Sequence, residues 1–243
     1  MRSELFTEDK REVEGSGIFV RQNSKMMKVE LTAGSVQALA GSMVAYQGDV
    51  KFEHQGAGGM KKLVKQKLTG EGLPLMRATG SGEIFLANQG ADVHIIELEN
   101  DALSINGQSI LAYEDTLQSD IQLMRGAGMM SGGLFNTTLT GSGQVAICSD
   151  GTPILLQTDQ PTYVDPDAVI CWSANLSPQL QADIGMKALI GRTSGEEIQL
   201  LFQGEGFVVV QPSENMRYGG QDAGQQVGNE AGGALGGIGK MLR

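Results

Sequence analysis

Cysteine and histidine are scarce in this chain: among 243 residues there are two of each, Cys148 and Cys171, His54 and His94. Two cysteines are too few for a disulfide framework, and their separation, from 148 to 171, offers no chelating turn, so no structural zinc site is expected. Both sit in apolar runs, where buried and inert thiols are the rule. His94 lies in Val93-His94-Ile95-Ile96-Glu97-Leu98 and reads as a packed strand residue rather than a base. Aromatic side chains make up 5% of the chain, with a single tryptophan, which leaves few platforms for stacking bases. The formal net charge of −10 repels phosphates, so nucleic acid is not the expected partner. No uninterrupted apolar segment approaches the roughly twenty residues of a spanning helix, and no basic leader followed by an apolar run opens the chain. The expectation is a cytoplasmic protein, able at most to lie on a membrane surface. No triad, carboxylate pair or metal set stands out, so catalytic residues, cofactors and metals are assigned to none and the chain reads as a non-enzyme.

What the chain has in quantity is glycine, 35 residues of it, and part of that is periodic. Leu139-Thr140-Gly141-Ser142-Gly143-Gln144-Val145-Ala146-Ile147 has counterparts in Ala78-Thr79-Gly80-Ser81-Gly82-Glu83-Ile84-Phe85-Leu86 and Phe202-Gln203-Gly204-Glu205-Gly206-Phe207-Val208-Val209-Val210. The first glycine advances from 80 to 141 and then to 204, a spacing that marks an internal repeat. A second block repeats without gaps: Leu103 to Tyr113 lies over Thr162 to Trp172, each read as strand, turn, strand and so as a hairpin. The turn formers are Asn106-Gly107 in one and Asp165-Pro166 in the other. Leu117 and Leu176 follow the two aromatics at equal distance, and Met43, Val44, Ala45, Tyr46 and Val50 form a weaker N-terminal copy.

The expected fold is therefore all-β, with three internally repeated units resembling a β-sandwich or double-stranded β-helix, each of about 60 residues. The units fall around 18–77, 78–138 and 139–211 in one domain, after a polar lead-in over 1–17 and before a glycine-rich flexible tail over 212–243. The pairs Gly80/Gly82, Gly141/Gly143 and Gly204/Gly206 lack the third glycine and following helix of a dinucleotide fingerprint. They are expected to open strands and to serve as structural glycines at bulges or close backbone approaches.

Ala40-Gly41-Ser42-Met43-Val44-Ala45-Tyr46, Thr79 to Ala87 and Phe202 to Gln211, taken in order, resemble the altered-inheritance-of-mitochondria protein family, from Phe19 to Gln211. That family comprises bacterial proteins of largely undefined function and a fungal mitochondrial branch. The resemblance implies repeated β units similar to the subunit of the tryptophan RNA-binding attenuation protein, assembled into a ring-like homo-oligomer, with a trimer favoured. For the mitochondrial branch it implies a role in inner-membrane organisation. It brings no catalytic residue, and the likeness to an RNA-binding ring is one of fold alone.

Segments between the repeated blocks are the places where a function can differ. In Gly56 to Leu68, Met60, Leu63, Val64 and Leu68 share one face of a short helix, flanked by Lys61, Lys62, Lys65 and Lys67. That is a candidate contact for an anionic membrane surface or a phosphate-bearing partner, or else a helix lying on its own sheet. The loop Leu123 to Phe135 carries Met129 and Met130 among glycines and is a candidate oligomer or membrane contact, or a cover for its own core. From Ser177 to Gln199 a turn, one or two helical turns and a returning loop are expected. Two functions remain: a non-catalytic homo-oligomeric scaffold, peripheral to a membrane surface, or a ring binding small ligands or nucleic acid between its units.

Overall fold

The computed structural model describes residues 2–54, 74–123, 135–182 and 198–213, which form antiparallel β-structure joined by turns. The strands are β1 (Phe19–Asn23), β2 (Met26–Leu39), β3 (Met43–His54), β4 (Leu75–Leu86), β5 (Asp92–Asn106), β6 (Ile110–Glu114) and β7 (Gln118–Leu123). They continue with β8 (Phe135–Ser149), β9 (Ile154–Gln157), β10 (Thr162–Val164), β11 (Val169–Ser173), β12 (Gln179–Ala182), β13 (Ile198–Phe202) and β14 (Phe207–Val210). The helical structure among the described residues amounts to 3-10 turns, Glu4–Phe6 and Glu8–Lys10 at the start and Gly107–Ser109 after β5. An 11-stranded sheet follows the order β3-β4-β2-β6-β8-β5-β11-β14-β9, with β1 added to β2 and β7 to β8, while β10-β13-β12 form a smaller sheet.

Period-two alternation explains the long strands. Along β2 the side chains of Met27, Val29 and Leu31 are buried, while Lys28, Glu30 and Thr32 point to the other face. Sustained over strands of 12 to 15 residues, however, a flat sheet would leave each apolar face far from any cover. Glycine resolves this by letting the strands bend. In β4, Gly80 (φ 121°) lies opposite Gly34 and Val50, and Gly82 (φ 150°) opposite Leu31 and Gly48 (φ 91°). A Cβ on Gly82 would stand 2.0 Å from the Gln47 carbonyl oxygen, and one on Gly80 would stand 2.1 Å from that of Asp49. The bend shows in β3, where the rings of Tyr46 and Phe52 meet edge to face with centroids 5.4 Å apart. Six residues of straight strand would separate them by about 20 Å. Both arms of the bent strands then enclose one core: Met27, Val29, Ile84 and Leu86 come from one arm, Val36, Ala38, Met76 and Ala78 from the other.

The same device recurs. In β8, Gly141 (φ 129°) and Gly143 (φ 155°) face a bulge between Leu98 and Asp101 of β5, where Asn100 also takes a positive φ. Leu98 and Val145, with Leu103 and Leu139 beyond the bend, share a second core. Gly204 (φ 118°) and Gly206 (φ 157°) separate β13 from β14, so here the chain passes from the smaller sheet into the larger one. Trp172 and Phe202 meet edge to face, centroids 5.8 Å apart, in a third core with Leu176 and Val208. Side chains repeat too: the Gln144 amide donates to Glu114 Oε1 (2.6 Å) and the Phe207 amide to Ser173 Oγ (2.9 Å), each just after its glycine pair.

Three expectations change. The first two glycine pairs lie within β4 and β8 rather than opening strands, because pairing resumes on both sides of the bend. The Asn106 and Asp165 turns form as expected, each side chain accepting from the amide two residues on, at 3.1 and 2.8 Å. The strands they join do not pair as hairpins: β8 lies between β5 and β6, and β10 and β11 belong to different sheets. Within Ser177 to Gln199, residues Gln179–Ala182 are strand β12, paired with β13, rather than part of a turn. The residues expected to be helical between 56 and 68 and between 184 and 190 lie outside the described residues, as do 214–243.

The glycine bend sets a stability test. Gly82→Ala is expected to lower the free energy of unfolding by about 3 kcal/mol or more, since the added methyl meets backbone. Gly90→Ala, at φ 72° with open space around its Cβ, costs about 1 kcal/mol by the same denaturant titration. Equal losses at the two positions would show that the close approach at Gly82 carries no weight.

Candidate functional site

The described residue that least resembles its neighbours is Lys28, whose side chain is inaccessible to solvent (0%) although it lies on the outer face of β2. Pairing of β2 with β4 sets Glu30 opposite Glu83, so two carboxylates flank the lysine from the sheet itself. Two more come from the N-terminal segment, which crosses this face. The ammonium Nζ stands 2.8 Å from Glu12, 2.9 Å from Glu83, 3.1 Å from Glu30 and 3.4 Å from Glu14. Glu12 and Glu14 are two residues apart and reach the same point, as alternate side chains of an extended chain do.

Electrostatics follow from that count of four carboxylates against one ammonium. Burial by itself would lower the lysine pKa, but the close carboxylates of Glu12, Glu83 and Glu30 outweigh it and hold the group well above its ordinary value. Lys28 is therefore a fixed cation, unsuited to act as nucleophile or base. The three-carboxylate surplus is incompletely matched: Glu30 Oε1 is buried and takes no hydrogen bond of good geometry despite its closeness to the ammonium. Among the described residues no group of three or more His, Cys, Asp or Glu is arranged for a metal ion. In this glutamate quartet the cation is supplied by the protein.

The segment over Lys28 is pinned at further points. Gln22 reads the backbone of Val13 in both directions, accepting from its amide at 2.8 Å and donating to its carbonyl at 2.9 Å. Nearer the sheet, the Phe19 amide donates to Gln144 Oε1 (2.9 Å) and the Glu30 amide to the Ile18 carbonyl (2.8 Å).

A second polar cluster joins β2 and β4 to Asp115, in the turn after β6. Asp115 accepts from Gln37 Nε2 (2.6 Å), from Arg77 Nε (2.7 Å) and, more closely still, from Ser35 Oγ, while Arg77 also donates to Ser35 (3.0 Å). Burial would raise the Asp115 pKa, but the Ser35, Gln37 and Arg77 hydrogen bonds outweigh it and leave the carboxyl below its usual range.

His94 is a strand residue of β5, 2.8 Å from Ser149 Oγ. Because Ser149 donates its proton to the Gly151 carbonyl (2.7 Å), the imidazole Nε2 must carry the hydrogen. Burial lowers the His94 pKa and favours that neutral ring. The contact resembles a nucleophile and its base, but the hydroxyl is buried and its proton is committed to a backbone acceptor, so the pair orders the turn after β8. Cys148 and Cys171 are buried, and burial pushes the Cys171 thiol up to about 12.

The candidate contacts Lys61, Lys62, Lys65, Lys67, Met129 and Met130 lie outside the described residues. The structural glycines Gly80, Gly82, Gly141, Gly143, Gly204 and Gly206 lie at the bends. Sequence reading passed over the glutamate quartet. Its signal was a lone lysine at a strand position flanked by glutamates, Glu30 on one side and Glu12 and Glu14 upstream, which by itself is indistinguishable from a solvated face.

The Asp115 cluster gives a pH test with a definite sign. A carboxyl depressed in the folded state adds stability in full above its unfolded value of about 3.9, and that contribution fades as pH falls below it. Asp115→Asn is therefore expected to melt below the parent chain at pH 7, with the gap narrowing below pH about 4. A gap independent of pH would assign the loss to packing.

Comparisons with known proteins can now be set beside this geometry. A crystal structure of a protein from Streptococcus pyogenes superposes with a TM-score of 0.65 at 24% identity, covering 80% of this chain and 92% of that one. At that identity the likeness is one of fold. A comparison with curated proteins returns no match. The family described as mitochondrial biogenesis AIM24 matches residues 18–213, which include every described strand, the three glycine bends and Lys28 with its two sheet-borne glutamates. The chain belongs to the mitochondrial biogenesis AIM24 family.

Proposed function

We propose that this chain is a non-catalytic building block of a homo-oligomeric scaffold, a trimer being the expected ring, working at an acidic membrane surface. The observation that carries the reading is the state of the two outer strands of the large sheet. β3 at one end exposes Val44 and Tyr46, at 57% and 51%, and β9 at the other exposes Ile154 and Leu155, at 59% and 53%. Adjacent residues of a strand point to opposite faces, so β9 is uncovered on both. Soluble proteins blunt such edges with charge, proline or a covering loop, yet β9 reads Ile-Leu-Leu-Gln and the first half of β3 carries no charge. Pairing β9 of one copy with β3 of the next continues the sheet between subunits, and a rotation that closes produces a ring. The recurring glycine bends, Asx turns and amide-to-side-chain bonds support a chain of three related units, so that the ring would extend a repetition already present within the subunit. Membrane contact is assigned to Lys61, Lys62, Lys65 and Lys67 by their sequence pattern.

Light scattering tests the assembly. The parent chain is expected at an integral multiple of 25.7 kDa, and Val44→Lys with Leu155→Lys is expected to bring it to the monomer mass without loss of β-structure. A parent chain that is monomeric at micromolar concentration would end the reading. For the membrane arm, changing the four lysines to glutamine is expected to abolish flotation with anionic vesicles and leave folding intact; undiminished flotation would remove the lysines from the account.

A further inference from the structure

The N-terminal segment is held mainly by polar contacts. Residues 2 to 16 are all exposed, Leu5 and Phe6 by 68% and 60%, so no apolar side chain of this arm is buried by its own chain. What fastens it is the Gln22 amide on the Val13 backbone and the Lys28 ammonium on Glu12 and Glu14. Behind that grip lies Gly15-Ser16-Gly17, a stretch with little conformational preference of its own, before the chain is anchored at Ile18 and Phe19.

The seat beneath the arm is more defined than the arm. Gln22 belongs to β1, Lys28 and Glu30 to β2 and Glu83 to β4, all placed by ladder pairing. A side-chain amide that bonds both the N–H and the C=O of one residue does what a neighbouring strand does, and a buried ammonium meeting alternate carboxylates reads the side chains. Together they recognise an extended Glu-x-Glu strand. Recognition here is also easily reversed, because Glu12 and Glu14 add two negative charges to a site where Glu30 and Glu83 already exceed the single lysine. Of the two contacts, the Glu14 one is long and its side chain is 81% exposed.

We infer that the face over Lys28 and Gln22 is a receptor for an extended Glu-x-Glu strand, occupied here by the chain's own Glu12-Val13-Glu14 and open to the same strand from a second copy. Exchange would carry Leu5 and Phe6 onto a neighbouring subunit, giving these exposed apolar side chains the cover that their own chain lacks. This goes beyond the edge pairing of β3 and β9: it uses a different face and different residues, and variants of one leave the other intact.

The test uses the full-length protein and a fluorescent peptide of residues 2–18. Glu12→Gln with Glu14→Gln weakens the resident strap, so the peptide is expected to bind this variant about tenfold more tightly than the parent, whose own strap competes. Lys28→Met, which replaces a buried charge by an apolar chain of similar length, is expected to abolish peptide binding while the fold persists. Gln22→Ala is expected to weaken binding about tenfold, and stands in if Lys28→Met fails to fold. Peptide binding that is equal in the Lys28→Met and parent chains, or absent from the doubly substituted chain, overturns the receptor. Exchange is read by mixing the Lys28→Met chain, which has an arm without a seat, with the doubly substituted chain, which has a seat without an arm. The mixture is expected to associate more than either alone, and a mixture no heavier than its components overturns exchange between copies.

Discussion

The first core of this fold depends on backbone approaching backbone more closely than a Cβ permits. Where β2, β3 and β4 bend, the space beside Gly80 and Gly82 is filled by the carbonyl oxygens of Asp49 and Gln47. The bend, in turn, is what converts strands too long for any single core into pairs of arms that close on one another. Among the described residues, the arms of the bent strands supply each other's second layer in the first two cores. Three cores of modest size result, one at each glycine site, the first two within the large sheet and the third shared between it and the smaller one.

The polar clusters occupy the outer faces that this arrangement leaves free, and they differ in character. Asp115 is a staple: three donors from β2 and β4 converge on one carboxylate, and the charges of Arg77 and Asp115 balance. Lys28 is a socket, with more carboxylates than its charge can satisfy and an occupant that comes from the N-terminal segment rather than from the sheet. A buried cation of this kind contributes little to stability relative to an apolar residue of the same size, but it is selective about what may lie against it.

The sequence made the bends visible and the pairing invisible, and the physical reasons differ. Gly80, Gly141 and Gly204 could be found because a backbone conformation closed to other residues leaves a residue type as its trace. The Asx turns at Asn106 and Asp165 were legible on the same ground, since the side chain that closes the turn is local. Which strands lie side by side is decided by contacts far apart in the chain, so reading strand, turn, strand around Asn106 suggested a hairpin where β8 actually intervenes. Lys28 failed for another reason: its burial depends on Glu12 and Glu14 crossing the sheet, and neither their distance in sequence nor their type distinguishes them from ordinary surface charge.

The placement of β6 between β2 and β8 also imposes an order in time. Val36 to Ala38 of β2 pair on one side with β4 and on the other with Ala112 to Glu114, so one flank of β2 stays without its partner until the ribosome has made some 75 residues more. At about 5–20 residues per second that wait is roughly 4 to 15 s, long compared with the microseconds in which a hairpin closes. Nascent chains thus carry an incomplete sheet for seconds on every round of synthesis.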